Sequence, residues 1–144
     1  MRTPSQTVGP YYSIGLCRRS ESELDPDGVE LVGTLFDGHG EPIPDGVIEV
    51  WDTAGRRWGR CGTHPAGSFS FRVPREASRL EVYVFARGLL RHQWTRVYLS
   101  EEQDELLASL PPADRETLVA AHEDGRMRFD IRMQGDRATV FFAH

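Results

Sequence analysis

The side chains of this chain that could do chemistry are few and scattered. Its five histidines, His39, His64, His92, His122 and His144, form no His-x-His pair and no His-Glu-x-x-His run, the spacings that aim two imidazoles at one point. Each lies in or beside a turn, a helix or a terminus, where a surface histidine is the plainer reading. Tyr83 and Tyr98 could offer phenolates to a hard metal ion, but both sit in β-like runs where an aromatic ring normally packs against a sheet. Cys17 and Cys61 make no Cys-x-x-Cys motif and are too few for a disulfide framework, so buried reduced thiols are expected. The carboxylates Glu101-Glu102 and Asp104-Glu105 fall in a helical stretch and read as a solvated face. No Gly-x-Ser-x-Gly elbow, phosphate-binding glycine loop or Cys–His nucleophile pair is present. The residues give no catalytic group and no metal site built by this chain alone.

The elements that would position these side chains are mostly strands. Residues 29 to 36 and 46 to 52 are apolar runs separated by a loop punctuated with glycine and proline. Phe69, Phe71 and Val73 alternate with polar neighbours, as do Leu80, Val82 and Val84, so each set should face a core. Residues 94 to 99 are expected beside 80 to 86. Met127, Phe129, Ile131 and Met133 form the clearest period-two segment, and the Gly135-Asp136 turn should return Thr139 to Phe142 as a hairpin. Helix signals are confined to residues 100 to 122, where Ser100 can cap Glu101-Glu102-Gln103 and Pro112 can open a second short helix carrying Leu118 and Val119. Seven or eight short strands favour an all-β sandwich.

Chain length and composition bound the rest. A chain of 144 residues makes one domain, burying ~68% of its unfolded surface. Residues 1 to 28 read as an arm and linker, and 29 to 144 as a single sandwich domain. Seventeen basic residues, all arginine, against 22 acidic ones give a net charge of -5, which argues against a nucleic-acid or polybasic membrane surface. No apolar run suited to export or insertion opens the chain, so a soluble, cytoplasmic protein is expected.

The arm is the most informative segment. Thr3 to Leu16 neither alternates like a strand nor repeats like a helix, yet it concentrates Pro4, Gly9, Pro10, Tyr11, Tyr12 and Gly15. Such residues suit a segment fixed by a partner surface. This opening resembles the N-terminal arm of the alpha subunits of protocatechuate 3,4-dioxygenases, in the intradiol ring-cleaving family. The resemblance recurs at Val84 to Leu90, Thr95 to Tyr98, Arg128 to Gly135 and Thr139 to Phe142, in order along nearly the whole chain, with a shortened middle.

That resemblance implies an intradiol-dioxygenase-like sandwich with short helices near residues 100 to 122 and an extended N-terminal arm. It also says where iron ligands would stand in a catalytic beta subunit, which holds ferric iron with two tyrosines and two histidines. The first tyrosine follows a Gly-Arg pair, here Gly55-Arg56, and the next residue is Arg57. The second belongs after Val73, but Pro74-Arg75-Glu76-Ala77 has no tyrosine. The His-x-His pair corresponds to Arg79-Leu80-Glu81. The resemblance therefore implies an alpha role, inactive alone, with ferric iron held by a beta-subunit partner in a higher hetero-oligomer. Protocatechuate, or a related catechol, and dioxygen would meet at a shared site, where Thr7, Gly9, Pro10 and Arg87 would line the substrate pocket or its mouth. The alternatives are a degenerate binding or scaffolding homo-oligomer and an alpha-like partner for another catechol.

Overall fold

A computed structural model describes residues 1 to 143. Two sheets face each other across an apolar core, as the period-two runs predict. One contains β1 (Val29–Phe36), β4 (Ser68–Val73), β7 (Ala121–Glu123), β8 (Arg126–Arg128) and β9 (Ile131–Arg132), in the order β4-β1-β8-β7 with β9 also paired to β1. The other is the four-stranded sheet β3-β2-β5-β6, from β2 (Val47–Asp52), β3 (Arg57–Gly62), β5 (Arg79–Phe85) and β6 (Gln93–Tyr98). Leu31 and Leu35 of β1 and Phe69, Phe71 and Val73 of β4 meet Ile48, Val50, Leu80, Val82, Val84 and Val97 of the opposing sheet. Each such side chain fully buried is worth about 1.5 to 3 kcal/mol. This is the all-β sandwich expected.

Several local expectations change. Arg57–Gly62 is a full strand, paired with β2 from Val47↔Gly62 to Asp52↔Arg57, although its two glycines and two arginines disguise it. The Met127 to Met133 run splits into β8 and β9, because the Asp130 carboxylate takes the Thr34 N–H at 3.0 Å where a ladder carbonyl would stand. The register to β1 is the same on both sides of the break. Gly33 permits the crossing there: a Cβ at Gly33 would lie 1.9 Å from the Phe129 carbonyl oxygen.

The Gly135 turn forms, with the Thr139 N–H donating to Arg132 O at 2.9 Å, but the expected hairpin does not continue. Residues 140 to 142 cross instead to the edge of β6. There the Thr95 hydroxyl donates to Val140 O at 2.6 Å and the Phe142 N–H to Trp94 O at 2.8 Å. The open edge of the four-stranded sheet recruits them because its donors and acceptors there need partners.

The helices are α2 (Glu105–Ser109) and α3 (Pro112–Glu116). Asp104, not Ser100, caps α2, accepting from the Leu107 N–H at 2.9 Å. Pro112 opens α3 as expected, but α3 ends before Leu118 and Val119. Leu118 is instead buried against Tyr98 and Leu107. The arm contains a short helix the sequence did not signal, α1 (Tyr12–Leu16), followed by a 3-10 turn at Arg19–Ser22. No helix among the described residues is long and apolar enough to cross a membrane.

Candidate functional site

The arm meets the sandwich at the turn between β5 and β6. Gly88 adopts φ +87°, a left-handed conformation that suits glycine, and its N–H donates to Thr7 Oγ1 at 2.8 Å. The same hydroxyl donates to Ala86 O at 3.5 Å. Arg87, between these two anchors, sends Nε to Asp45 Oδ2 at 2.5 Å and leaves 57% of its side chain exposed, while Asp45 is 14% exposed. Thr7 and Arg87 therefore stand on one turn although 80 positions of sequence separate them. Gly9 and Pro10 follow along the arm and are exposed. The Gly9 carbonyl accepts from the Tyr12 N–H at 3.2 Å, turning the chain into α1.

Between arm and turn lies a cleft of about 440 Å³ walled by Gln6, Val8, Tyr12, Phe85, Leu89 and His92. Tyr12 packs on Phe85 with ring centroids 6.1 Å apart. Burial first, and then the Glu49 carboxylate, push its phenol above the ordinary tyrosine value, so Tyr12 presents a neutral hydroxyl at neutral pH. The cleft offers an apolar wall with a hydroxyl and with arginine at its rim. Such a surface suits a flat ring bearing polar substituents.

The second place of interest is where the resemblance would put metal ligands. Arg57 opens β3, just after Arg56 in a tight turn at φ +54°, and its Nη1 lies 2.9 Å from Asp25 Oδ2. Arg79 and Glu81 share the outer face of β5, but neither is directed to an open coordination position. Arg79 Nη1 lies 3.0 Å from Asp104 Oδ2. Glu81 accepts from Arg96 Nε at 2.8 Å and from Trp94 Nε1 at 2.6 Å. Asp104 also receives Arg96 Nη1 at 2.9 Å and the Tyr98 hydroxyl at 2.8 Å.

Burial would raise the Asp104 carboxyl, but the Leu107 N–H, the Tyr98 hydroxyl and the Arg96 and Arg79 guanidiniums outweigh it. They hold the group below the ordinary aspartate value. Tyr98 is pushed up, by burial first and with Asp104 adding to it, against the opposing pull of Arg96. It is therefore a hydrogen-bond donor here and not a phenolate. Guanidiniums and a neutral phenol are not a donor set for ferric iron. Among the described residues no three His, Cys, Asp or Glu side chains gather to hold a metal. A cavity of about 240 Å³ beside the network is lined by Asp52, Glu76, Arg79, Tyr98 and Asp104 among others.

Sequence reasoning selected the arm and Arg87, passed over Arg96, and read Asp104 as part of a solvated face, whereas its carboxylate is 22% exposed and bonded to Arg79, Arg96, Tyr98 and Leu107. Asp104 did carry a signal, since an aspartate directly before Glu105-Leu106-Leu107 is a good N-cap. Nothing in the sequence signalled Arg96, whose role depends on three elements meeting.

No protein-family model matches the chain. It is 35% identical to the protocatechuate 3,4-dioxygenase alpha chain of Burkholderia cepacia, over 98% of this chain and 96% of the relative. It is 30% identical to the alpha chain of Pseudomonas putida, over 97% and 95%. The first alignment spans 190 positions against a chain of 144 residues, so the relative carries internal segments that this chain lacks.

Among solved structures, the dioxygenase domain of a dioxygenase–carbohydrate-binding fusion from Streptomyces sp. SirexAA-E superposes with a TM-score of 0.58 at 21% identity, covering 92% of this chain and 97% of that one. Hydroxyquinol 1,2-dioxygenase from Pseudomonas putida DLL-E4 gives 0.56 at 18% identity, covering 81% and 60%. At these identities the likeness is one of fold. The two full-length relatives carry the assignment further: this chain belongs to the protocatechuate 3,4-dioxygenase alpha-chain family of intradiol dioxygenases.

Proposed function

We propose that the chain is the alpha subunit, itself without iron, of a protocatechuate 3,4-dioxygenase, and that it assembles with an iron-bearing beta subunit. The observation that carries this reading is the substitution of the expected ligand positions. Arg57, a tyrosine-free loop, Arg79 and Glu81 stand there, the three residues each tied into an ion pair. The whole complex inserts both atoms of dioxygen between the hydroxyl-bearing carbons of protocatechuate, giving 3-carboxy-cis,cis-muconate in aromatic catabolism. The ferric iron of the beta chain supplies the oxygen chemistry. This chain, inactive alone and cytoplasmic, supplies binding geometry.

In this reading residues 1 to 28 are the arm and 29 to 144 the sandwich domain. Thr7 holds the arm to the Gly88 turn, Gly9 and Pro10 shape its approach to the shared pocket, and Arg87, its Nε paired with Asp45 and its side chain still more than half exposed, presents its guanidinium at the mouth. A catechol carboxylate can accept hydrogen bonds from the planar fork of such a guanidinium. Thr7, Gly9, Pro10 and Arg87 therefore position and bind substrate and take no part in redox chemistry.

The test is co-expression with a candidate beta chain, one carrying two tyrosines and a His-x-His pair, and purification through a tag on this chain. Iron content, visible absorbance and protocatechuate-dependent oxygen uptake are then measured. A coloured, active complex is the expected result. An iron-loaded partner that is fully active alone and does not co-purify would defeat the reading. The missing internal segments favour a second reading, a binding or scaffolding homo-oligomer with a lost cleft. Activity on a different catechol by the co-purified complex would reassign the substrate and keep the alpha role.

A further inference from the structure

The outer face of the four-stranded sheet carries aromatic side chains among charges that pair with one another. The strand registers arrange it in rows. One row runs Trp58, Trp51, Glu81, Arg96, and the next Arg60, Glu49, Tyr83, Trp94. The cross-strand tryptophans stack with centroids 5.9 Å apart at 24°, yet remain 41% and 42% exposed. The Arg60 guanidinium lies 5.2 Å from the Trp58 ring and its Nη2 is 2.6 Å from Glu49 Oε1. Arg96 Nη2 is 2.6 Å from Glu81 Oε1. These four charged side chains are between 13% and 22% exposed, Asp104 pairs with both Arg96 and Arg79 of the same face, and Glu21 stands 3.9 Å from Arg60, so the arginines of the face are held by carboxylates in place. At the far end of the face α1 lies over Phe85 and turns Tyr11 and Ile14 outward, 79% and 70% exposed.

An aromatic surface from Ile14 to Trp58 whose arginines are paired is a poor match for an anion or a nucleic acid, which need unpaired cations. It matches a protein surface, because its polar groups already hold partners and lose little on desolvation. Exposed tryptophan is the residue type that most often anchors such contacts.

We propose that this face is the docking surface for the beta chain, with Trp51 and Trp58 as its anchor; the inference rests on the alpha-subunit reading. Two observations favour that occupant over a second copy. The full-length relatives are alpha chains, which implies a differently built partner. The face also continues onto α1 and the arm, so a chain docked here lies against the segment whose residues are assigned to a shared pocket. The partner's contacting surface is correspondingly apolar and without unpaired charge.

The test uses the co-expressed full-length chains, comparing the unmutated chain with W51S/W58S, W51F/W58F and, as a control on another exposed apolar residue, Val119→Ser. Assembly is followed by sedimentation and by the dissociation constant. The double serine variant should weaken assembly by about 100-fold or more. The phenylalanine variant should stay within about tenfold of the unmutated chain and Val119→Ser should match it. Raising salt from about 0.1 to 1 M should change the constant by less than about threefold, because the charges on the face are already paired.

Hydroxyl-radical footprinting of the unmutated complex reads the same surface without a substitution, and oxidation of Trp51 and Trp58 should fall sharply on assembly. Undiminished oxidation, or a serine variant that assembles normally, overturns the proposal. So does an isolated chain that dimerises through the tryptophans and excludes the beta chain. Failure of the unmutated chain to bind any beta chain sinks the alpha-subunit reading itself, a result distinct from the others.

Discussion

Thr7 and Gly88 are joined by one hydrogen bond, from the Gly88 N–H to Thr7 Oγ1 at 2.8 Å, across 81 positions of sequence. Among the described residues of the first ten, Thr7 is the one whose side chain is bonded to the sandwich in this way. On the other side of Gly9 and Pro10 the arm is held where Tyr12 packs on Phe85, so the Thr7 bond fixes one of the two ends of the segment that contains them. Thr7→Val keeps the shape and removes the acceptor and donor. In the co-purified complex it should raise the KM for protocatechuate by about three- to tenfold, the effect of about 1 kcal/mol of lost positioning. Thr7→Ser should stay within about twofold, and the visible iron absorbance should not change in either. An unchanged KM in Thr7→Val would remove the arm from substrate positioning.

Asp104 binds four groups from three elements: the Leu107 N–H, the Tyr98 hydroxyl, and the Arg96 and Arg79 guanidiniums. Asp104→Asn keeps a cap acceptor but removes the charge, while Asp104→Ala removes both. The expected losses on urea unfolding are about 1 to 2 kcal/mol for asparagine and about 2 to 3 kcal/mol for alanine. Equal losses would mean that the cap carries the whole effect and the arginines contribute nothing.

The same carboxyl sets a pH dependence. Its folded value lies below the 3.8 of a free aspartate, so the folded chain releases this proton more readily than the unfolded chain. The associated stability is present in full above that free value and is lost as the pH falls through the lower folded one. Urea midpoints measured from pH 7 down to pH 3 should therefore fall less steeply in Asp104→Asn than in the unmutated chain. Parallel acid limbs would assign the acid loss to other carboxyls.

Cys17 lies in the shallow crevice between α1 and β3, and burial, with a smaller contribution from Cys61, pushes its thiol up to about 11. The thiolate is the reactive form, so only about one thiol in a thousand is reactive at pH 8. Mass spectrometry of the native chain with iodoacetamide at pH 8 should show Cys17 alkylated at least about a hundredfold more slowly than in urea. Equal rates in the two conditions would place Cys17 in open solvent.

Much of the fold was legible because alternation is a property of short segments. Phe69, Phe71 and Val73, or Leu80, Val82 and Val84, declare a buried face without reference to anything else. Arg57–Gly62 did not, since its inward positions are Gly59 and Cys61 and its outward ones Trp58 and Arg60. Its strand character comes from pairing with Val47–Asp52. Thr139 to Phe142 misled for a related reason: the Gly135 turn is local and forms, but which strand the chain then joins depends on the free edge of β6. Thr7 and Arg87 were each readable as residues of interest, whereas their meeting on one turn required the folded sheet. Arg96 was unreadable, because an arginine in a strand looks like any solvated one until Glu81 and Asp104 are set beside it.

Gly33 marks the point where the crossing of β1 by the Phe129 segment is tightest. A methyl group there would lie 1.9 Å from the Phe129 carbonyl oxygen and 2.4 Å from the Phe69 ring, far inside any tolerable contact. Relief requires the Phe129 backbone to withdraw, and it is held by its own N–H to Val32 O at 2.8 Å and by the neighbouring Asp130 to Thr34 bond at 3.0 Å. Withdrawal also uncovers Phe129 and Ile131, both buried in the main core. Gly33→Ala should consequently cost at least about 3 kcal/mol, the scale of an overpacked core combined with a lost buried hydrogen bond. The measurement is the urea midpoint of the purified chain, or the soluble yield where the variant does not fold. A variant as stable as the unmutated chain would show that β1 and the Phe129 segment are not packed this closely, and with it would fall the explanation of why the Met127 to Met133 run breaks at Asp130.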